Sequence, residues 1–382
     1  MEKIKILALT TKTGVSYHRV YKPMVSLMLE YPEEFDVVFF EVKNKDISSL
    51  PKLNEYKFDF IYFNTILGID DGSPLLYYLE HVLNSGAKIV LDIDDNFNFG
   101  RSVIVKRSIM EKHKEAIPEA IKMADYVTTT TDTYKKILLN YNRNVFVFPN
   151  FADDKDPNYI INKTKSDVIR IGVTGSVMHK YDMRILRGIP YRLKRDGLIK
   201  SVQFVQCGYN DNPYYHEYEK IITDDYRIVS NKYRRFLLDN KNVTDVEWHG
   251  EPYRRIGWID PTEYIKIYNE LDVLLAPLED TAFNSAKSQI KYIEAGYMNT
   301  LFIGSDVPSY NKYVKHGETG FLCKNNEEFY IVLKDVIRNW DETNGFEYQR
   351  NEAKRHIEQE YTMSVVTKQR REFFKKIHNG EI

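Results

Sequence analysis

The sequence predicts an α/β protein made of two parallel-sheet halves side by side. Short apolar runs recur along it, continuous rather than alternating, which is how strands buried on both faces read. Helical patterns separate those runs. Near the middle Phe151–Val168 (FADDKDPNYIINKTKSDV) has no apolar period, and beyond it the rhythm restarts. A chain of 382 residues suits two domains of about 150–200 each.

In the first half the apolar runs are Ile4–Leu9, Asp36–Val42, Asp59–Asn64, Ala87–Asp92, Tyr126–Thr130 and Val145–Pro149. Helical patterns fall at Arg19–Leu29, Pro74–Leu83, Val105–Met123 and Thr133–Leu139. Phe151–Val168 reads as an interdomain linker. The second half begins with a strand at Ile169–Val177, a helix from about Met183 to Arg195 and a strand at Val202–Cys207. Gly208–Glu247 reads as a polar and aromatic insertion with one or two helices. Strands at Asp272–Leu275, Thr300–Ile303 and Gly320–Leu322 surround a helix at Ser285–Ala295. Two helices close the chain, Asn326–Trp340 and Asn351–Ile377. Ligands of such sheets lie beyond the carboxyl ends of the strands, so a cleft between the halves is the expected site.

Composition removes several function classes. Lys+Arg 54 against Asp+Glu 55 leaves a net charge of −1, so no global field draws the chain to polyanions. Cys207 and Cys323 are its two cysteines, too few for a disulfide scaffold or a four-cysteine zinc site. MEKIKILALT enters a strand pattern at once, unlike a signal peptide, and no apolar stretch is long enough to span a bilayer. A cytoplasmic protein is expected. The 29 tyrosines read as large core residues with a polar tip. No Ser-His-Asp order, H-E-x-x-H or cysteine-histidine cluster supports a hydrolase or a zinc enzyme.

Three segments carry chemistry. In NSAKSQIKYIEAG, Asn284 or Ser285 caps a helix that Gly296 ends. Lys287, Lys291 and Glu294 then share one face at i, i+4 and i+7, with Ile290, Ile293 and Tyr297 on the other stripe. Lys287 puts a cation in the first turn, where the macrodipole is already positive, and a phosphate there satisfies both. The competing reading is a solvated Lys/Glu face. GVTGSVMHKYDM follows the first strand of this half, where Gly175 and Ser176 offer backbone N–H groups to a phosphate and His179 or Lys180 offers charge. It is neither a Walker loop nor G-x-G-x-x-G. In the first half TKTGVSYHRVYKP places Gly14, His18 and Arg19 at a strand-to-helix turn. LDIDDNFNFG places Asp92, Asp94 and Asp95 at a strand end, where capping acids outweigh a metal pair.

Taken in order, these segments resemble the nucleotide-sugar-dependent glycosyltransferases of the GT-B fold, family 4, also called glycosyl transferases group 1. The resemblance covers most of the chain. It rests on the opening glycine loop, LDIDD, ADYVTTTTDTY, VFPNF and IGVTGS, most specifically on DVLLAPLEDTAFNSAKSQIKYIEAG, and then on GSDVPSY and HGETGFLC. It implies two Rossmann-like domains facing a central cleft, with a C-terminal helix crossing back to the first. The expected domains are 1–160 on the acceptor side, 161–350 binding the nucleotide sugar, and 351–382 returning.

By position Glu294 matches the ribose-binding glutamate. Lys291 and Lys287 match the basic region facing the donor pyrophosphate, with Gly14, Gly175, Ser176, His179 and Lys180 also on the donor side. Where the family pattern has a second acid, eight positions before Glu294, this chain has Ala286; Asn284 or backbone N–H groups are the expected replacement. His18, Asp94 and Asp95 are the candidates for orienting the acceptor, and Lys291 for catalysis at the leaving group.

The resemblance also implies retention of configuration, no required cofactor or metal, and a nucleotide sugar as cosubstrate, a UDP-sugar first. The expected acceptor is a surface glycan, a lipid-linked sugar or a small glycoside. A viral-type enzyme glycosylating hydroxylated DNA bases is an alternative, drawn from the basic segments KYRRF, YRRIG and KQRREFFKK. The competing reading for each is a solvated helix face. The same segments suit peripheral contact with an anionic membrane surface. A catalytically silent sugar-nucleotide sensor or glycan-binding scaffold is the third reading, kept open by Ala286.

Overall fold

The computed structural model describes residues 2–11, 14–42, 56–64, 79–80, 83–84, 86–98 and 107–382. The expected helix Pro74–Leu83 and the start of Val105–Met123 lie largely outside them. Continuous apolar runs became strands because both faces are covered, as the sequence implied. The first sheet holds β1 (Ile4–Thr10), β2 (Phe35–Glu41), β3 (Phe60–Asn64), β4 (Lys88–Ile93), β5 (Tyr126–Thr129) and β6 (Val145–Val147), all parallel in the order β2-β1-β3-β4-β5-β6. The second holds β7 (Ile169–Val173), β8 (Val202–Tyr209), β9 (Val246–Glu247), β10 (Tyr253–Gly257), β11 (Val273–Ala276), β12 (Leu301–Ser305) and β13 (Phe321–Cys323). Their order is β13-β12-β11-β7-β8-β10-β9, parallel except for β9. Strand order reverses beside β1 in one sheet and beside β7 in the other, the place where such sheets bind ligands.

Each half has an apolar core on either face of its sheet. The last helix, Met363–His378, packs on the first half, with Phe373 and Phe374 edge-on to Phe60, Tyr62 and Phe148. The two chain crossings between halves run side by side: Ala152 N–H donates to Tyr361 O, and Met363 N–H to Ala152 O, both at 2.8 Å. Phe151–Val168 is better anchored than its composition suggests. Phe151, Ala152 and Tyr159 are buried, Lys22 pairs with Asp153 and Asp156, and Lys163 Nζ donates to the carbonyls of Tyr268 and Leu271.

Three local expectations are corrected. The helix Met183–Arg195 is two pieces, a 3-10 turn Asp182–Leu186 and a helix Ile189–Arg195, separated by Gly188 at φ +85°, where a side chain would be strained. YRRIG is not a helix face but strand β10, with Arg255 buried on Glu219 (Nη2 to Oε1, 3.0 Å) and on the carbonyls of Leu237, Asn240 and Val243. The helix Ser285–Ala295 is also broken. It becomes Ala282–Ser285, capped by Thr281 rather than by Asn284 or Ser285, and Ile290–Tyr297.

The last break has a tertiary cause. Ala286 sits in a core of the first half and its carbonyl accepts from Thr131 Oγ1 at 3.3 Å. Ser288 Oγ accepts from Asn150 Nδ2 at 2.8 Å. The Ala286 carbonyl, which a continuous helix would use internally, is bonded to the other half. Gly296, expected to end the helix, lies inside it, where a Cβ would stand 3.0 Å from Ile357.

Candidate functional site

A cavity of about 410 Å³ lies between the carboxyl ends of the two sheets. Its first-half wall includes Gly14, His18, Arg19, Asp94, Asn150 and Phe151. Its second-half wall includes Thr174, Gly175, Tyr264, Ile290, Lys291 and Glu294. Six residues singled out from the sequence therefore meet here: Gly14, His18, Asp94, Gly175, Lys291 and Glu294.

Helix Ile290–Tyr297 positions Lys291 and Glu294 three residues apart, one turn, on its cavity side. The first-turn cation is Lys291, not Lys287, because the helix starts only at Ile290. A Cβ on Gly175, whose φ is +134°, would stand 3.1 Å from Lys291 Nζ, so that glycine lets backbone and ammonium come together. Among the described residues Lys291 forms no ion pair. Burial lowers its pKa to about 8, against the attraction of Asp182 and with the repulsion of Lys287. Glu294 is 4% exposed and accepts from Tyr264 Oη and, at 2.7 Å, from Tyr268 Oη. Burial pushes its carboxyl up to about 8, and the two tyrosine donors favour the carboxylate against that. Tyr264 also meets His18 edge-on across the cleft, with ring centroids 5.8 Å apart.

On the first-half wall a π-helical turn, Tyr17–Tyr21, presents His18. Such turns are frequent at functional sites. Burial, then Lys22, lowers the His18 pKa to about 4, so its ring is neutral at pH 7. Asp94 follows β4 and is raised to about 7 by burial first and then by Asp95 and Asp92. Asp92 belongs to the scaffold: Arg19 grips it at 2.7 and 3.0 Å, and Tyr62 and Thr128 hydroxyls donate to it.

The other candidates do not line this cavity. Asp95 and Lys287 pair across the cleft at 3.3 Å, joining the halves. Ser176 Oγ caps a turn by accepting from Met178 N–H at 3.3 Å. His179 Nδ1 lies 2.9 Å from Asp182 Oδ2. Burial and Lys291 lower its pKa to about 4, so it is not the expected cation at neutral pH. Lys180 turns to Glu217 at 3.0 Å and lies over the Tyr214 ring. Asn284 is fully buried, its Nδ2 donating to Asp182 Oδ1 at 2.8 Å and to the Glu279 carbonyl; it does not replace the acid missing at Ala286 by reaching into the cavity.

Sequence reasoning missed Tyr264, Tyr268 and Asp182. Tyr264 and Tyr268 precede Glu294 by 30 and 26 residues, and no local spacing connects them. Asp182 had one legible sign, its position three residues after His179.

Among the described residues no group of three His, Cys, Asp or Glu side chains is placed to hold a metal ion, and no helix is long and apolar enough to cross a membrane. The basic segments are engaged only in part, since Lys232, Arg234, Arg235, Lys368 and Lys376 are exposed. Arg254 pairs with Glu247 and Glu270, Arg371 and Lys375 with Glu34, and Arg370 is buried between Phe148 and Phe151.

Residues 225–339 match the family model described as glycosyl transferases group 1. The sucrose-phosphate synthase of Thermosynechococcus elongatus superposes over 100% of both chains, with a TM-score of 0.64 at 13% identity. The fold is GT-B. A glycosyltransferase from Rickettsia africae ESF-5 covers 99% of each chain, with a TM-score of 0.62 at 13% identity. Anabaena Alr3699/HepE, solved with UDP and glucose, covers 98% of this chain and 100% of its own, at 0.62 and 13%. No curated protein sequence matches. The resemblance drawn from the sequence, and the fold it implied, are borne out. The matched segment contains both Lys291 and Glu294.

Proposed function

We propose that the cleft binds a nucleotide sugar, a UDP-sugar first, and transfers its sugar to an acceptor hydroxyl. The observation that carries this is the pairing of Lys291 and Glu294 on one helix turn opposite Gly175, with the ammonium in no ion pair among the described residues. Glu294 suits ribose hydroxyls, which would displace Tyr264 Oη. Lys291 and the backbone at Gly175 suit the diphosphate. As the bond from the anomeric carbon to the diphosphate oxygen breaks, its electron pair leaves with the diphosphate. A preorganised cation there lowers the barrier because it meets charge that develops only then. The acceptor oxygen bonds the same carbon and gives up its proton, for which Asp94 and neutral His18 stand on the opposite wall. The uridine nucleotide is put forward because Alr3699/HepE was solved with UDP-glucose; retention of configuration follows the family resemblance.

We assign residues 1–160 to the acceptor side, 161–350 to the donor side and 351–382 to the returning helix. A glycan, lipid-linked sugar or small glycoside is the acceptor of choice. DNA ranks lower because Arg254, Arg255, Arg370, Arg371 and Lys375 are already paired or buried. One observation favours a second reading, a sugar-nucleotide sensor: the position of the missing acid is a methyl group buried in the other half.

Release of nucleoside diphosphate from UDP-, GDP-, ADP- and dTDP-sugars, with and without glycoside acceptors and hydroxymethylated DNA, tests these together. Release from one donor, raised by a glycoside, is the expected result. Tight nucleotide binding with no release from any donor supports the sensor. A chain that neither binds nor turns over a nucleotide sugar ends the proposal.

A further inference from the structure

The turn after β7 carries a side chain that the reading of the cleft leaves idle. Asp182, 1% exposed, takes the Glu279 N–H and Asn284 Nδ2 on Oδ1, both at 2.8 Å, and meets His179 Nδ1 with Oδ2 at 2.9 Å. A carboxylate only accepts, so Nδ1 carries the ring hydrogen, and Nε2 of the neutral ring presents a bare lone pair. That edge lies against the cleft wall. A Cβ on Gly175 would stand 3.6 Å from Nε2 and 3.1 Å from Lys291 Nζ, so imidazole and ammonium flank one point. Both side chains also line a void of about 10 Å³, too small for a ligand, which shares Thr174, Gly175 and Lys291 with the cleft. The His179 side chain is 16% exposed, within reach of a group entering from that side.

The turn is held in place from outside. Tyr215 and Tyr218 hydroxyls, from the helix Pro213–Ile222, donate to the carbonyls of Gly175 and Ser176 at 3.5 and 3.0 Å. Lys180, the next residue, is engaged by Glu217 and does not compete for the place. Around the ring, Asp182 favours a proton and Lys291 and Lys287 oppose one. Tyr218 and Cys207, the neighbours from that helix and from β8, are raised by burial and stay neutral. Burial first, and then Lys291, therefore keep the unliganded ring neutral. A diphosphate reverses that balance. Its oxygens offer lone pairs, which a bare Nε2 repels and an Nε2–H receives, and its negative charge offsets that of Lys291.

We propose that His179 is a catalytic residue: it takes a proton from water onto Nε2 as the diphosphate enters the cleft and, as imidazolium, hydrogen-bonds the oxygen that leaves the anomeric carbon. This role rests on the cleft being a nucleotide-sugar site. The electron pair of the broken bond stays on that oxygen, where Nε2–H and the Lys291 ammonium meet the new charge. The proton returns to water when the nucleoside diphosphate departs, so none is consumed. Asp182 is a positioning residue that fixes the ring through Nδ1.

Calorimetry of UDP and of inorganic pyrophosphate at about pH 6, in two buffers of different ionisation enthalpy, counts the protons taken up on binding. The parent should take up about half a proton or more beyond His179→Gln, a difference that cancels the titration of the ligand, Lys291 and Glu294. The variant should bind UDP about tenfold more weakly at that pH. The gap should close toward about pH 9, where the ring is neutral even beside the diphosphate. Ring-nitrogen NMR reads the same event if that variant folds poorly. On adding UDP, one histidine ring should pass from the Nδ1–H form to imidazolium, and should still do so in His18→Gln, which removes the histidine on the opposite wall. UDP that binds with equal proton uptake by parent and variant, or with no ring becoming imidazolium, overturns the role of His179 and leaves the reading of the cleft standing. Pyrophosphate bound with this uptake, where UDP does not bind, supports His179 and breaks the nucleotide reading. A chain that binds neither overturns both.

Discussion

After β1 the chain turns at Gly14 and sends Arg19 onto Asp92; after β7 it turns at Gly175 and brings His179 onto Asp182. Both turns end beside a buried carboxylate at the carboxyl end of a sheet. In the first half that carboxylate is met by a guanidinium 1% exposed, which also bonds the Phe148 carbonyl and Asn150. In the second half Asp182 is met by neutral groups: the His179 ring, the Asn284 amide and the Glu279 N–H. The nearby cation, Lys291, is left without an ion pair among the described residues. One half thus fixes its charge inside the scaffold, and the other holds a charge ready for a ligand.

The sharpest break of this comparison is Arg19→Ala. It leaves Asp92 buried and uncompensated, so unfolding in urea should show a loss of about 3–5 kcal/mol. A loss under about 1 kcal/mol would remove the scaffold role. Lys291→Ala should do the opposite, lowering kcat for donor turnover by about 10²–10³, or about 2.7–4 kcal/mol, while the urea midpoint at pH 7 does not fall, because a buried charge that costs stability is removed. Equal effects on folding and turnover would erase the distinction between the halves.

At pH 9, above the raised Glu294 pKa of about 8, Glu294→Gln keeps the shape and removes a charge. UDP affinity by calorimetry should fall by about 1.5–3 kcal/mol, the range for hydrogen bonds to a charged group. An unchanged affinity places the ribose elsewhere.

The smallest effect is a pH signature of Lys291. Its folded pKa, about 8, lies below its ordinary value of 10.5, so holding the charged form costs stability below pH 8. Between about pH 8 and 10.5 the unfolded chain binds more protons, and this residue's contribution to stability rises with pH. UDP affinity should fall over the same rise, because the free ammonium is lost. Lys291→Arg should flatten both trends, and an affinity indifferent to pH in the parent would place the diphosphate away from Lys291.

The strands were readable because burial on both faces leaves continuous apolar runs, and that pattern belongs to each segment alone. Lys291 and Glu294 were readable as a pair because a three-residue spacing fixes their relation on any helix. Lys287 was misread for the same reason: its spacing fitted a helix that the other half interrupts at Ala286 and Ser288. The basic segment YRRIG looked solvated because the partner that buries Arg255 is Glu219, 36 residues away.

By itself, then, the sequence determined two parallel-sheet halves, their glycine turns, the family they resemble and the helix turn that carries a lysine and a glutamate. All of these depend on contacts within a few residues or on a repeated pattern. Only the tertiary structure decided that Asp95 closes on Lys287, 192 residues later, that two tyrosines hold Glu294, and that buried Lys291 is in no ion pair among the described residues. A charge finds its partner by distance in space, and spacing along the chain carries no record of that distance.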